Sequence, residues 1–458
     1  MKTDFSGPAR KAPPKFKAEP FAYHQEIEIE ISSLTNLGEG VGRIGLDTGE
    51  SWVVFVAGAL PGERVLASVW HNSKHFSRAD LIRVLKASPQ RVEPQCPLFG
   101  RCGGCQYQNL SYAAQLEWKT RQIEELLTRI GKIDLPAGTL KPCFASPKQW
   151  AYRSKITPHF ERPRQGEENF PIGFLAAGSA RKIIDVPACP IATEAINRAL
   201  PAVRDGARAK MARGEFKRGA TLLLRETLEG VVTDHKSRVS ERVGDLTLHF
   251  VAGDFFQNNP FILPDFVRFG VEAARGNGDC RFLVDTYCGS GLFALSAAKS
   301  FERVLGVEVS EDAVVNAREN ARGNGIGNCE FVAGSSEIIF AQVPFPPDQC
   351  AVIMDPPRKG SDEAFLTQLL DFAPKRIVYV SCGPDTQARD LQFLLASGKY
   401  ALKTVQPFDL FPQTRHIENV AVLERISSRD WICTGQLSGI KSHMQLTQTS
   451  STTDGVVG

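Results

Sequence analysis

The sequence has no long apolar run. Nowhere do hydrophobic residues extend to the roughly 18 needed to cross a bilayer, so no membrane span is expected. The N-terminal stretch MKTDFSGPARKAPPKFKAEP is polar and basic and lacks the apolar core of a secretory signal. A cytoplasmic location is the resulting expectation. In a reducing compartment, clustered cysteines point to metal binding or catalysis ahead of disulfides. A strong charge of either sign is missing as well. The 54 Lys and Arg against 51 Asp and Glu leave a net charge of +3, which permits an RNA partner without arguing for one.

What is present falls into five stretches. Residues 1–24, rich in Pro, Lys and Ala, read as a disordered basic arm. Residues 25–88 read as strands. EIEIEI alternates with period two, Gly38, Gly40, Gly42 and Gly45 punctuate one turn region, and Pro61-Gly62 marks another. Strands in so short a segment are best satisfied by a small closed barrel, which removes exposed edges. Residues 89–250 form a mixed α+β central segment. A helix is expected from about Tyr112 to Ile130, with apolar Leu116, Ile123, Leu126, Leu127 and Ile130. From 251 to 427 the pattern changes. FLVDTYCGSG, RVLGVEVS, CAVIMDPP and RIVYVSCG are short apolar runs ending in Gly, Asp or Glu, separated by helical segments. That alternation predicts an α/β, doubly wound parallel sheet with its ligands beyond the carboxyl ends of the strands. Residues 428–458, rich in Ser, Thr and Gln, read as a flexible tail.

Three loops of the α/β stretch carry ligand chemistry. DTYCGSG at 285–291 follows one strand and opens a helix, and Gly289 and Gly291 allow a tight turn and close approach to a ligand. These glycines lack the Gly-x-Gly-x-x-Gly spacing of a dinucleotide site, which counts against NAD. Glu308 ends the next strand, where an acid accepts both hydroxyls of an unphosphorylated ribose. Asp355-Pro356-Pro357-Arg358 makes a rigid loop with few backbone donors, which places Asp355 in the same crevice.

Cys382, in SCGP after the strand RIVYV, stands at a strand end beside the crevice, and a thiol there is a strong nucleophile. The chemistry fits a uracil ring. Carbon 5 is too weak a nucleophile to take a methyl group unaided. Addition of a thiolate to carbon 6 makes carbon 5 electron-rich, and a base must afterwards remove the carbon 5 proton. Glu418, in DLFPQTRHIE at 409–418, is the candidate base.

Together, FFQNN at 255–259, DTYCGSG, VEVS at 307–310, DPPR, SCGP and DLFPQTRHIE resemble the RNA (uracil-5-)-methyltransferase family, in the family's order. The resemblance implies a Rossmann-like S-adenosyl-L-methionine domain at 251–427. It assigns cofactor contacts to Gln257, Tyr287, Gly289, Glu308 and Asp355, with Cys382 as nucleophile and Glu418 as proton acceptor. Residues 25–88 look like the family's RNA-binding TRAM barrel, an OB-like module. Gly383 and Thr286 depart from the commoner wording, where Asn and Leu are frequent.

Cys96, Cys102 and Cys105 are spaced Cys-x5-Cys-x2-Cys, with Cys189 far downstream in DVPACPI. Soft thiolates in this spacing suit iron–sulfur or zinc, and the residues alone leave both open. The resemblance implies a 4Fe-4S cluster on these four, of structural role, within 89–250. Cysteines 143, 280, 288, 329, 350 and 433 read as packing residues. The expected partner is structured RNA, bound by a monomer that takes its target base out of the stack. Arg153, Lys155, Phe174, Arg181 and Lys182 are candidate contacts. Large-subunit (23S) rRNA is the preferred substrate and the tRNA T-loop uridine the alternative. A non-catalytic RNA-binding or folding module is the competing class.

Overall fold

The computed structural model describes residues 16–426 except 48, 165–166 and 335–338. The first fifteen residues of the expected arm, the expected tail and Cys433 lie outside the described residues.

Five strands close into a barrel in the order β1-β2-β3-β5-β4: β1 Glu26–Leu34, β2 Glu39–Gly45, β3 Ser51–Ala57, β4 Arg64–Asn72 and β5 Phe76–Lys86. The alternation in EIEIEI places Ile27, Ile29 and Ile31 inside, against Val54, Val56, Val65, Ala67, Val69 and Ala79. Gly42 is obligatory, because a Cβ there would stand 2.5 Å from the Glu30 carbonyl oxygen. Ahead of β1, Phe21 is buried, and Asn72 Nδ2 donates to the carbonyls of Lys17 and Phe21, so residues 16–24 lie along the barrel.

Helix α1, Tyr112–Arg129, follows the cysteine segment. It buries Ile123 and Leu127 as the apolar spacing predicts, but it also buries Gln115, Lys119 and Gln122, while Ile130 is exposed. The central segment is built of short strands. Strands β6 Lys155–Ile156, β7 His159–Phe160, β8 Gly173–Leu175, β9 Ile183–Asp185, β10 Ala220–Thr221, β11 Leu224–Thr227 and β12 Gly230–Val232 form two small sheets. They pack around α2, Glu194–Ala212, and the hairpin β13 Arg238–Val243 with β14 Leu246–Val251 follows.

The remainder is a seven-stranded sheet. Its strands are β15 Phe282–Thr286, β16 Arg303–Glu308, β17 Cys329–Ala333, β18 Cys350–Met354, β19 Arg376–Ser381, β20 Tyr400–Phe408 and β21 Glu418–Arg425, in the order β17-β16-β15-β18-β19-β21-β20. All neighbours from β17 to β19 run parallel, and β21 is antiparallel to both β19 and β20. Helices cover both faces. One core joins α3 Leu263–Arg275, α4 Leu292–Ala297 and α5 Glu311–Gly323 to Leu283, Val304, Ile353 and Val380. The other joins α1, α6 Glu363–Phe372 and α7 Pro384–Ala396 to the alternate residues Val284, Leu305, Val352 and Tyr379. Burial on both faces explains why these strands read as unbroken apolar runs.

Candidate active site

The topology brings the candidate site residues to one edge of the sheet. Strands β15, β16, β18 and β19 are parallel, so the loops after Thr286, Glu308, Met354 and Ser381 leave from the same edge. Strand β21 runs the other way and begins at that edge. Its register pairs Ser381 with Asn419, so Cys382 leaves β19 where Glu418 enters β21. The order also reverses at β15, between β16 and β18, which is where open α/β sheets hold their ligands.

The first loop is shaped by its backbone. Tyr287, Gly289 and Gly291 all have positive φ, at 64°, 53° and 94°. For Tyr287 this is a strained conformation that the surroundings must hold. The ring packs against Phe365, and its hydroxyl lies 3.5 Å from Ser361 Oγ. Asp285, which the sequence did not single out, is buried and accepts from the Ala294 N–H of α4 at 2.8 Å, tying the loop to its helix. Burial drives its carboxyl well above the usual range, with Asp355 and Glu308 adding to the effect. Thr286 is buried too, and its hydroxyl donates to the Ile353 carbonyl on β18.

Glu308 is oriented by two backbone donors. The N–H of Gly289 reaches Oε2 and that of Ser310 reaches Oε1, both at 3.0 Å. Gln257 is buried in the segment ahead of α3. Next to it, Phe256 stacks on Phe250 with ring centroids 4.3 Å apart, whereas Phe255 is 78% exposed.

Cys382, Asp355, Glu418 and Arg358 form one electrostatic group. Burial pushes the Cys382 thiol up to about 11, the carboxylates of Glu418 and Asp355 push the same way, and Arg358 opposes them. Burial raises Asp355 to about 7. Glu418, 5% exposed, is raised well above the carboxylate range by burial and then by Asp355, again opposed by Arg358. The turn after Cys382 is close-packed. Thr386 Oγ1 donates to the Arg358 carbonyl at 3.0 Å, binding the Cys382 turn to the Asp-Pro-Pro-Arg loop. Such a group can hold a thiol and a protonatable carboxylate against one planar ring.

Cys96, Cys102, Cys105 and Cys189 line a single cleft of about 500 Å³ together with Arg153, Phe174 and His416. The cysteine loop is joined to the central segment where the Gly103 N–H donates to the Leu175 carbonyl. Burial raises Cys105 to about 12, and Cys189, Cys102 and Cys96 add to the shift. Among the described residues no three His, Cys, Asp or Glu side chains are grouped so as to hold one metal ion.

The candidate RNA contacts fall in different places. Arg153 lies over the Phe411 ring and donates to the Lys155 carbonyl. Lys155 turns inward, donating to the carbonyls of Gly253 and Asp254 just before Phe255, and burial lowers its ammonium to about 8. Phe174 and Cys189 both pack against the cluster of Ile156, Ile196, Leu200 and Leu224, and Arg181 and Lys182 are exposed.

The family model for tRNA (uracil-5-)-methyltransferases matches residues 227–343 and 348–426. A Schizosaccharomyces pombe tRNA (uracil(54)-C(5))-methyltransferase is 42% identical over 429 residues, covering 89% of this chain and 80% of the relative. An uncharacterized RNA methyltransferase of Halalkalibacterium halodurans is 34% identical, covering 87% and 96%. The structure of Pyrococcus abyssi tRNA (uracil-54, C5)-methyltransferase in complex with S-adenosyl-L-homocysteine shares the fold. Its TM-score is 0.63 at 24% identity, covering 87% of this chain and all of that one. Among the described residues no helix is long and apolar enough to cross a membrane. On these matches the chain belongs to the RNA (uracil-5-)-methyltransferase family.

Proposed function

We propose that this enzyme forms 5-methyluridine in the T-loop of tRNA through a covalent adduct of Cys382 with carbon 6 of the target uracil. The observation that supports the chemistry best is the β19–β21 register, with Ser381 opposite Asn419, which sets the thiol and Glu418 at one sheet edge beside Asp355. S-adenosyl-L-methionine supplies an electrophilic methyl group on its sulfonium. Its binding falls to Gln257, Tyr287, Gly289, Glu308 and Asp355, with Glu308 poised for the ribose hydroxyls. The positive-φ loop and the oriented Glu308 carboxylate suit that ligand.

Cys382 gives its electron pair to carbon 6, and the ring charge moves toward carbon 5 and the carbonyl at carbon 4. Arg358 favours the thiolate that this step needs. Once carbon 5 carries the methyl group, Glu418 takes the carbon 5 proton. The freed pair forms the 5,6 double bond and the carbon–sulfur bond breaks, returning the Cys382 thiolate.

The names of the S. pombe relative and of the Saccharomyces cerevisiae tRNA (uracil(54)-C(5))-methyltransferase, 34% identical, favour tRNA over the large-subunit rRNA expected from the sequence. Membership of an enzyme family likewise displaces the non-catalytic module. In the same reading, Cys96, Cys102, Cys105 and Cys189 would hold a 4Fe-4S cluster, and their lining of one cleft supports it. Each thiolate of such a cluster serves a different iron, so the sulfurs need not converge on one point. Its role in this reading is to fold the central segment.

The test is to incubate the protein and S-adenosylmethionine separately with unmodified tRNA and with 23S rRNA transcripts, then map 5-methyluridine by mass spectrometry. Methylation at T-loop position 54 is expected. Methyl groups confined to rRNA would overturn the tRNA assignment.

A further inference from the structure

The loop from Asp409 to Ile417 joins β20 to β21 and delivers Glu418. Side chains from outside the sheet hold it. Lys119, in the middle of α1, donates from Nζ to Asp409 Oδ1 at 2.5 Å, to the Phe411 carbonyl at 3.3 Å and to the His416 carbonyl at 3.0 Å. One ammonium thereby ties the start of the loop to its end, two residues before Glu418. Neither side chain of the ion pair has any exposure. Gln115, one turn earlier on the same helix face, accepts from the Gln413 N–H and donates to Gln413 Oε1, both at 3.0 Å. Gln413 itself has φ 69°, a strained value for a non-glycine residue that persists only where neighbours enforce it.

Burying an ammonium is costly unless all its donors are used. Lys119 uses its three N–H groups on one carboxylate and two carbonyls of the same loop. An apolar side chain at this helix position would pack against the loop but would leave its carbonyls free to move. Cys382 is held differently, by β19, the Gly383 turn and α7, so it does not depend on Lys119.

We infer that Lys119 is a positioning residue for the proton-transfer step: it fixes the loop that sets Glu418 against carbon 5. The inference rests on the proposed role of Glu418 as base. Without Lys119, thiolate addition and methylation of carbon 5 proceed, but the carbon 5 proton is removed slowly. The carbon–sulfur bond to Cys382 then persists, because only the electron pair left on carbon 5 when that proton departs can form the 5,6 double bond and expel the thiolate.

The experiment compares Lys119→Met, the neutral pair Lys119→Gln/Asp409→Asn and Glu418→Gln in the full chain. Each is mixed with a radiolabelled unmodified tRNA transcript and S-adenosylmethionine, and denaturing gels measure turnover and protein–RNA adduct. Glu418→Gln is expected to accumulate the adduct, and if it turns over freely with none, the base assignment itself fails. Lys119→Met is expected to accumulate the same methylated adduct while turnover falls about a hundredfold, the scale for misplacement by about an ångström. A general loss of packing would lower turnover without trapping anything. Adduct in Glu418→Gln but none in folded Lys119→Met overturns the inference. Should Lys119→Met not fold, the neutral pair decides, since it buries no unpaired charge. Slowed turnover with adduct supports the role, and parental turnover overturns it.

Discussion

A Cβ placed on Gly383 would lie 2.8 Å from the Arg358 carbonyl oxygen and 2.8 Å from Thr386 Oγ1. The turn that carries Cys382 is therefore packed directly onto the backbone of the Asp-Pro-Pro-Arg loop, and a Cβ at position 383 would force a shift. Gly383→Ala should push the two loops apart. We expect a loss of about 1–3 kcal/mol in stability, the usual scale for overpacking, with turnover reduced more than S-adenosylhomocysteine affinity. Thermal melts and calorimetry check this.

The pH dependence follows from two raised groups. The proposed chemistry needs Cys382 as a thiolate, and its thiol is pushed up to about 11 by burial and nearby carboxylates. Glu418 must be ionised to accept a proton, and burial raises it well above the carboxylate range. Both effects leave the inactive, protonated form favoured at lower pH, so single-turnover rates should rise from pH 6 to 9. Arg358 opposes both shifts, so Arg358→Ala should move the rising limb to higher pH and lower the rate at neutrality. A flat profile in the parent protein would contradict this electrostatic account.

Glu308 is aimed by the N–H groups of Gly289 and Ser310. Glu308→Ala removes a charged acceptor from the proposed ribose site. The expected cost is about 1.5–3 kcal/mol of S-adenosylhomocysteine binding, with the melting temperature of the ligand-free protein little changed. Titration calorimetry measures the first and a thermal melt the second.

For the cysteine cleft, anaerobic purification should give a brown protein with about four irons per chain. Cys189→Ser should lower the iron content and destabilise the central segment, because Cys189 is the one proposed ligand that lies beyond the Cys96–Cys105 loop. A colourless protein with a single zinc would overturn the cluster.

Much of the sheet was legible because both of its faces are buried, so β15, β16, β18 and β19 stand out as apolar runs with chemistry at their ends. The barrel was legible from the alternation in β1 and its glycines. The Cys382–Glu418 juxtaposition was expected from the chemistry and the family resemblance, not from any local pattern. It depends on β21 entering antiparallel between β19 and β20, and no local pattern encodes that order. The central segment hid its architecture in strands of only two to six residues, too short for a period to register. Lys119 was invisible for a related reason. A lysine on a helix reads as solvent-facing, and only its three acceptors, some 290 residues downstream, explain its burial.

The proposed chemistry requires a bond between the Cys382 sulfur and carbon 6 of the pyrimidine. The direct measurement uses tRNA carrying 5-fluorouridine at the target, whose carbon 5 fluorine no base can remove as a proton. Reaction with S-adenosylmethionine, denaturation, digestion and mass spectrometry should yield a methylated fluorouridine on the peptide containing Cys382, and Cys382→Ala should yield none. Recovery of an active protein that never forms this adduct, or forms it on another residue, would contradict the proposed chemistry.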